Sequence, residues 1–256
     1  MQRYFVPEEN WYPESVTISG DDVHHINRVV RLREGDKIIC SHPAGHAARC
    51  TITFVESDNV HVTIEEWLES SVELPLEVTI AQGLPKGDKL DLIVQKGTEL
   101  GANAFIPFQA ARSVVKWDDK KLQKKVERLE KIAKEASEQS HRNLIPLVET
   151  KTSLSELIEV SKQYDIKIFA YEEEAKTESY QSFSTILQGM EVGQKLLVLI
   201  GPEGGISGEE AEQLKASGFH PVRLGPRILR TETAALYTLA SISYHFEELR
   251  WNECQQ

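Results

Sequence analysis

No stretch of the 256-residue sequence approaches the ~20 consecutive apolar residues that a membrane-spanning helix requires. The opening MQRYFVPEEN carries neither the basic nor the apolar segment of a secretory leader. The expectation is a cytoplasmic protein with no membrane partner. Cysteine is scarce: Cys40, Cys50 and Cys254 form no CxxC pair and cannot all be bridged to one another, which fits a reducing compartment. His24 and His25 are adjacent with no third ligand in view, so no metal site is expected. Basic charge is in deficit, with 29 Lys and Arg against 40 Asp and Glu, and this argues against a blanket electrostatic grip on nucleic acid. Nucleotide fingerprints are missing as well. No GxGxxG opens a helix after a strand, and GLPKGDK at residues 83–89 lacks the spacing and terminal Ser or Thr of a phosphate loop. There is no internal repeat and no low-complexity tract.

What is present is 40% hydrophobic residues, enough to fill one large or two ordinary cores. Up to about residue 70 the chain reads as β-rich, with SVTIS, DKIICSH, ARCTITFVES and NVHVTIEEW separated by Gly, Asp and Asn turns. Such spacing suggests a small β-barrel. LESSVELP, residues 68–75, breaks the pattern, and the boundary is placed there, giving domains 1–72 and 73–256. Beyond it, strands such as LEVTIAQ, AFIPFQ, IKIFAYEE and KLLVLIGP alternate with long helical patterns. That rhythm predicts an α/β domain on a mostly parallel sheet.

Any nucleic-acid contact has to be local. VHHINRVVRLR, residues 23–33, holds Arg28, Arg31 and Arg33 without a carboxylate; on a helix Arg28 and Arg31 share a face, which suits phosphates. A basic surface helix with Ile26, Val29 and Val30 packed inward fits the same spacing. The surrounding residues 1–70 are acidic, six Lys and Arg against twelve Asp and Glu, so recognition would use a narrow stripe on folded RNA. The lysine-rich run from Lys120 to Lys134 is interleaved with glutamates and has Leu122, Val126, Leu129, Ile132 and Ala133 at core spacing, so it reads as a solvated helix.

Two strands end alike, LLVLIGP at Gly201-Pro202 and PVRLGP at Gly225-Pro226, and GPEGG after the first lets a ligand approach the main chain. Neighbouring strands with such ends would frame one site outside their carboxyl ends. A tight turn into a helix capped by Ser207, with Glu210 completing a capping box, is the alternative for that stretch. In LGPRILRTETAALYTLA, Thr231 or Thr233 can cap a helix with Glu232 at its positive end. Ile228 and Leu229, apolar in an exposed loop, need something flat to cover, such as a purine ring. In QKGTELG, Gln95 and Glu99 share a helical face beside Lys96, with Leu92, Ile93 and Leu100 expected in the core.

LLVLIGPEGGIS paired with LGPRILRTETA, preceded by QKGTELG and EASEQSHR, closely resembles the small subunit ribosomal RNA methyltransferase E family of the SPOUT class. The resemblance extends to RYFV and HHINRVVRLREGD near the start. It implies a PUA-like β-barrel for RNA, followed by a SPOUT-type α/β domain tied in a trefoil knot, an exception to the rule that chains do not thread loops. It implies a homodimer that transfers a methyl group from S-adenosyl-L-methionine to uracil N3 of a uridine in 16S ribosomal RNA of the 30S subunit. A related SPOUT enzyme with another RNA target and a non-enzymatic RNA-binding assembly factor are the competing readings. Carried over as cofactor-binding are Leu199, Ile200, Gly201, Glu203, Gly204, Leu224, Gly225, Ile228, Leu229, Arg230 and Thr231. Arg230 is expected to stabilise the uracil anion and Glu232 to accept its proton. Gln95, Lys96, Glu99, Arg112, Glu138, Gln139, Ser140 and Arg142 are expected to meet the RNA or the partner chain, alongside Arg28, Arg31 and Arg33. Gly97 and His141 depart from the family, where Ala and Gly are commoner.

Overall fold

The computed structural model describes residues 1–69, 72–150, 152–171 and 181–249, so Cys254 and part of the boundary segment lie outside the described residues. Two compact units form. One is Met1–Glu73 together with Lys134–Ile145; the other is Leu74–Ala133 with the described residues from Pro146 on.

The first unit is a five-stranded sheet in the order β1-β3-β4-β5-β2, with β1 (Arg3–Phe5), β2 (Ser15–Ser19), β3 (Lys37–Ser41), β4 (Ala47–Val55) and β5 (Asn59–Leu68). β1 runs parallel to β3 and the other pairs are antiparallel. Alternating residues build its core: Val16 and Ile18, Ile38 and Cys40, Cys50 and Ile52, Val60 and Val62. The basic segment differs from the helix expected there. α1 spans Asp21–His24 and continues as a π-helical turn over His25–Val30, and Arg31 stops it in the left-handed region at φ 62°. The wider turn changes the facing of the side chains. Ile26 is buried, Val29 is 61% exposed, and Arg31 no longer shares a helical face with Arg28.

Two side chains, buried Arg3 and partly buried Glu73, fasten Lys134–Ile145 into this unit. The Arg3 guanidinium donates to Ser41 Oγ, to the carbonyl of Arg142 at 2.7 Å and to Asn143 Oδ1. Glu73 accepts from the Arg142 guanidinium and from the N–H groups of Asn143 and Leu144. Between them His141 adopts φ 58°, a left-handed conformation that glycine reaches without strain.

Glu138, in the same segment, is largely buried. Burial lifts its carboxyl from the usual 4.5 to about 7, with Asp22 adding to the rise and Lys134, 3.7 Å away, opposing it. A carboxyl raised on folding contributes stability that is complete below its unfolded value and is lost as pH climbs through the folded one. The urea midpoint of the wild-type protein should therefore fall between about pH 4.5 and 7 relative to that of Glu138→Gln. Parallel pH profiles for the two proteins would contradict this.

The second unit begins with β6 (Glu77–Gly83), α2 (Lys89–Glu99), β7 (Ala104–Gln109), the part of α3 (Asp119–Gln139) up to Ala133, β8 (Leu147–Val148), β9 (Thr152–Ser153) and α4 (Leu154–Val160). It continues through β10 (Ile166–Ala170), β11 (Gln181–Ser182), α5 (Phe183–Gln188), β12 (Lys195–Ile200), α6 (Gly208–Ala216), β13 (His220–Arg223) and α7 (Thr231–Ser243), the last running into a π-helical turn over Tyr244–Leu249. Its sheet is parallel, in the order β11-β13-β10-β12-β6-β7-β8, with β9 also on β7. Both faces are covered, which is why KLLVLI is apolar without alternation. Leu196, Val198 and Ile200 join one core cluster, and Leu197 and Leu199 the other. Leu92 departs from the expected packing: it is 40% exposed, while Ile93 and Val94 are buried. The longest described helix, α3, is polar, and none among the described residues is long and apolar enough to cross a membrane.

Candidate cofactor-binding site

β12 and β13 do not pair with each other. β10 lies between them, so the two Gly-Pro strand ends stand one strand apart and the end of β10, Ala170 and Tyr171, closes the gap. All three strands run parallel, and the cavity opens at their carboxyl ends. Its volume is about 640 Å³, inside the ~300–1,000 Å³ usual for small-ligand sites. One wall is the chain from Ile200 to Ile206 and another the chain from Val222 to Leu229, with Thr231 and Ala234 behind them.

Backbone forms much of this lining because side chains would not fit. A Cβ on Gly201 would lie 2.9 Å from the Gly205 carbonyl carbon, and one on Gly204 would lie 2.9 Å from Arg112 Cβ. Arg112 Nη1 donates to the carbonyls of Gly204 and Ile206, clamping the first loop from outside. Arg223 Nε donates to the Gly225 carbonyl and does the same for the second. Ser207 and Glu210 form the expected capping box, and Glu210 also accepts from the N–H of Ala111. The capping box and the ligand cradle thus coexist in adjacent residues.

Ile200, Gly201, Glu203, Gly204, Leu224, Gly225, Ile228, Leu229 and Thr231 all line the cavity. Leu199 does not: strand alternation turns its side chain into the opposite core cluster. Arg230 and Glu232 are not among the lining residues either. Arg230 occupies the N-cap position of α7 with an exposed side chain, and neither threonine caps the helix. The Glu232 carboxylate lies 3.6 Å from Lys89 Nζ, which bonds Glu203 at 2.8 Å. Burial pushes the Glu203 carboxyl up, but the hydrogen bonds from Lys89 and from the N–H of Lys86 outweigh it and leave the group below its ordinary range.

The residues expected at the RNA are dispersed. Arg28, Arg31 and Arg33 are exposed on the first unit, as is Gln139. Ser140 Oγ is turned back onto the carbonyl of Ala136, and the Arg142 guanidinium is buried on Glu73, so neither offers a free polar group at the surface. On α2, Gln95 and Glu99 are exposed and Lys96 pairs with Glu99 at 2.7 Å. Arg112 belongs instead to the cavity wall. Sequence reasoning missed Tyr171, Arg223, Lys89 and Gln82. A glutamine following the apolar Ile80 and Ala81 in the strand LEVTIAQ was the signal for the last of them. Among the described residues no three His, Cys, Asp or Glu side chains gather as metal ligands.

The RNA methyltransferase domain family matches residues 72–243, and the RNA methyltransferase PUA domain matches residues 18–65. The ribosomal RNA small subunit methyltransferase E of Bacillus subtilis is 50% identical over 256 residues, covering 99% of this chain and all of its own. The chain belongs to this methyltransferase family. Its counterpart from Mycobacterium tuberculosis is 32% identical, covering 88% of this chain and 84% of its own. A ribosomal RNA small subunit methyltransferase E from Neisseria gonorrhoeae, solved with S-adenosyl methionine bound, superposes with a TM-score of 0.83 at 29% identity, over 96% of this chain and 98% of its own.

Proposed function

We propose that this protein is the cytoplasmic S-adenosyl-L-methionine-dependent methyltransferase that modifies N3 of a uridine in 16S ribosomal RNA within the 30S subunit, and that it works as a homodimer with a trefoil knot around the cofactor loops. The observation that carries this is the backbone-lined cavity at the ends of β12, β10 and β13, built by a chain of this family.

The lining fits the cofactor. Ile200, Leu224, Ile228 and Leu229 offer apolar surface for a purine ring, and Ile228 is 82% exposed, in need of cover. The main-chain groups of the two loops offer donors and acceptors at close approach, because Gly201, Gly204 and Gly225 leave no side chain in the way. When bound, the cofactor supplies an electrophilic methyl group on a sulfonium centre. Orientation of the two reactants is then the main catalytic contribution asked of the protein. The acceptor nitrogen has to lose its proton, and Arg230 and Glu232 at the start of α7 are the groups assigned to charge stabilisation and proton acceptance. The Arg230→Ala and Glu232→Gln variants should bind S-adenosyl-L-methionine normally and turn over at least ~100-fold more slowly, within the range general acid–base catalysis supplies. Full turnover in either variant would remove that residue's role.

RNA is assigned to Arg28, Arg31 and Arg33, whose exposed guanidinium groups stand out on an acidic unit. The second copy is assigned to the outer faces of α2 and α7. Exposed Thr233, Tyr237, Ala240 and Tyr244 recur at three- and four-residue spacing, and Leu92 is exposed on α2, which packs beside α7. A sedimenting mass of one chain at micromolar concentration would refute the dimer.

The deciding experiment incubates the protein with tritiated S-adenosyl-L-methionine and unmodified 30S subunits, then digests the RNA. Label in 3-methyluridine is the expected result. Label in another nucleoside would keep the cofactor and discard the target base. Absence of label, with the cofactor bound, would discard the 30S substrate.

A further inference from the structure

Gln82, the residue before the last of β6, has a completely buried side chain. Its Nε2 donates to Thr231 Oγ1 at 2.8 Å and to the Gly83 carbonyl at 3.0 Å, with the Gly201 carbonyl 3.4 Å away. Thr231 Oγ1 in turn donates to the Gly201 carbonyl at 2.6 Å. Proton directions follow from these partners. Three acceptors face the two N–H groups of the amide, so its NH₂ group must point at them, with the 3.4 Å contact to Gly201 the weakest, and the threonine hydroxyl, accepting from Gln82, has its single proton left for Gly201. A polarised chain therefore runs from Gln82 through Thr231 to Gly201.

These three residues come from three separated parts of the chain. Gln82 lies near the end of β6, Gly201 begins the first cofactor loop, and Thr231 ends the second loop at the first turn of α7. Gly201 and Thr231 line the cavity, whereas Gln82 lies behind it. Gln82 Oε1 is buried without a hydrogen-bond partner. The unsatisfied acceptor is a cost, so what the amide contributes is confined to the groups its Nε2 holds, the Gly83 carbonyl and Thr231 Oγ1. We propose that Gln82 is a positioning residue that acts through Thr231 to hold the Gly201 carbonyl, setting the spacing of the two loops between which S-adenosyl-L-methionine binds. This rests on the cofactor assignment above and adds a residue to it.

The test titrates S-adenosyl-L-methionine into the full-length wild-type protein and into Gln82→Leu, Thr231→Val, Thr231→Ser and the Gln82→Leu/Thr231→Val double variant, with thermal melts and steady-state rates for each. Gln82→Leu and Thr231→Val each break the Gln82–Thr231 link and should each weaken binding roughly tenfold. The double variant should lose far less than the product of the two, because both act through one chain of hydrogen bonds. Thr231→Ser should restore affinity. In Gln82→Leu, KM for the cofactor should rise while kcat changes less than about twofold, and the loss of affinity should persist at temperatures well below the variant's melting point. Wild-type affinity in Gln82→Leu, or a loss of affinity that only tracks a lowered melting temperature, would overturn the positioning role. No cofactor binding by the wild-type protein would overturn the cofactor assignment itself, and the positioning role with it.

Discussion

Gly201→Ala should weaken S-adenosyl-L-methionine binding by up to ~100-fold, the range implied by overpacking a close-packed site. The added Cβ would sit 2.9 Å from the Gly205 carbonyl carbon and 3.1 Å from both Gly205 Cα and Ile206 N. All three are backbone atoms, so no side chain can swing away to relieve the contact. The loop from Gly201 to Ile206 has to shift, and it is tied at both ends. Thr231 and Gln82 hold the Gly201 carbonyl, while Arg112 holds the carbonyls of Gly204 and Ile206. Movement of this wall changes the cavity directly. Gly208→Ala is the matched control: its added Cβ meets nothing within 4 Å, and the variant should bind as the wild type does. Calorimetric titration of the two variants reads the comparison, and equal affinities would show that the first loop is not the cofactor wall.

Arg28→Glu combined with Arg31→Glu should abolish methylation of 30S subunits, at least a hundredfold in kcat/KM, while leaving cofactor affinity unchanged. The first unit is acidic, so few of its groups can meet phosphate; Arg28, Arg31 and Arg33 are exposed together near the end of the π-helical turn. Reversing two of them replaces attraction by repulsion at the same surface. Because the contact is local, the salt dependence of the remaining activity should be shallower than that of the wild type. Filter binding to 30S subunits, run beside the cofactor titration, separates the two effects. Unchanged methylation in the double variant would move the RNA to another surface.

Much of this was legible in the linear chain. Strong periodicity or continuous apolar runs marked every long element of the second unit, and Ser207 with Glu210 announced α6 by a local capping rule that needs no tertiary context. The glycines of GPEGG and LGP marked backbone meant for close approach. Short elements were missed: β8 and β9 have two residues each, too few to carry a period, and they exist because β7 offers them an edge.

Side-chain roles were less legible where long-range partners decide them. Arg142 reads as a surface arginine in EASEQSHR, yet Glu73, 69 positions earlier, buries it. Thr231 reads as a helix cap, yet the carbonyl of Gly201, 30 positions earlier, takes its hydroxyl. Arg112 reads as an RNA contact and serves as a clamp on Gly204.

Composition, local periodicity and glycine placement, all short-range properties, sufficed for the parallel α/β class and for marking the Gly-Pro strand ends that line the cavity, while the family was legible only through the resemblance of whole motifs. Tertiary structure alone decided that β10 separates the two Gly-Pro ends, that the basic segment is a π-helical turn rather than a regular helix, and that Gln82 joins the two loops. Strand order and buried hydrogen-bond partners depend on residues far apart in the chain, and no local pattern encodes them.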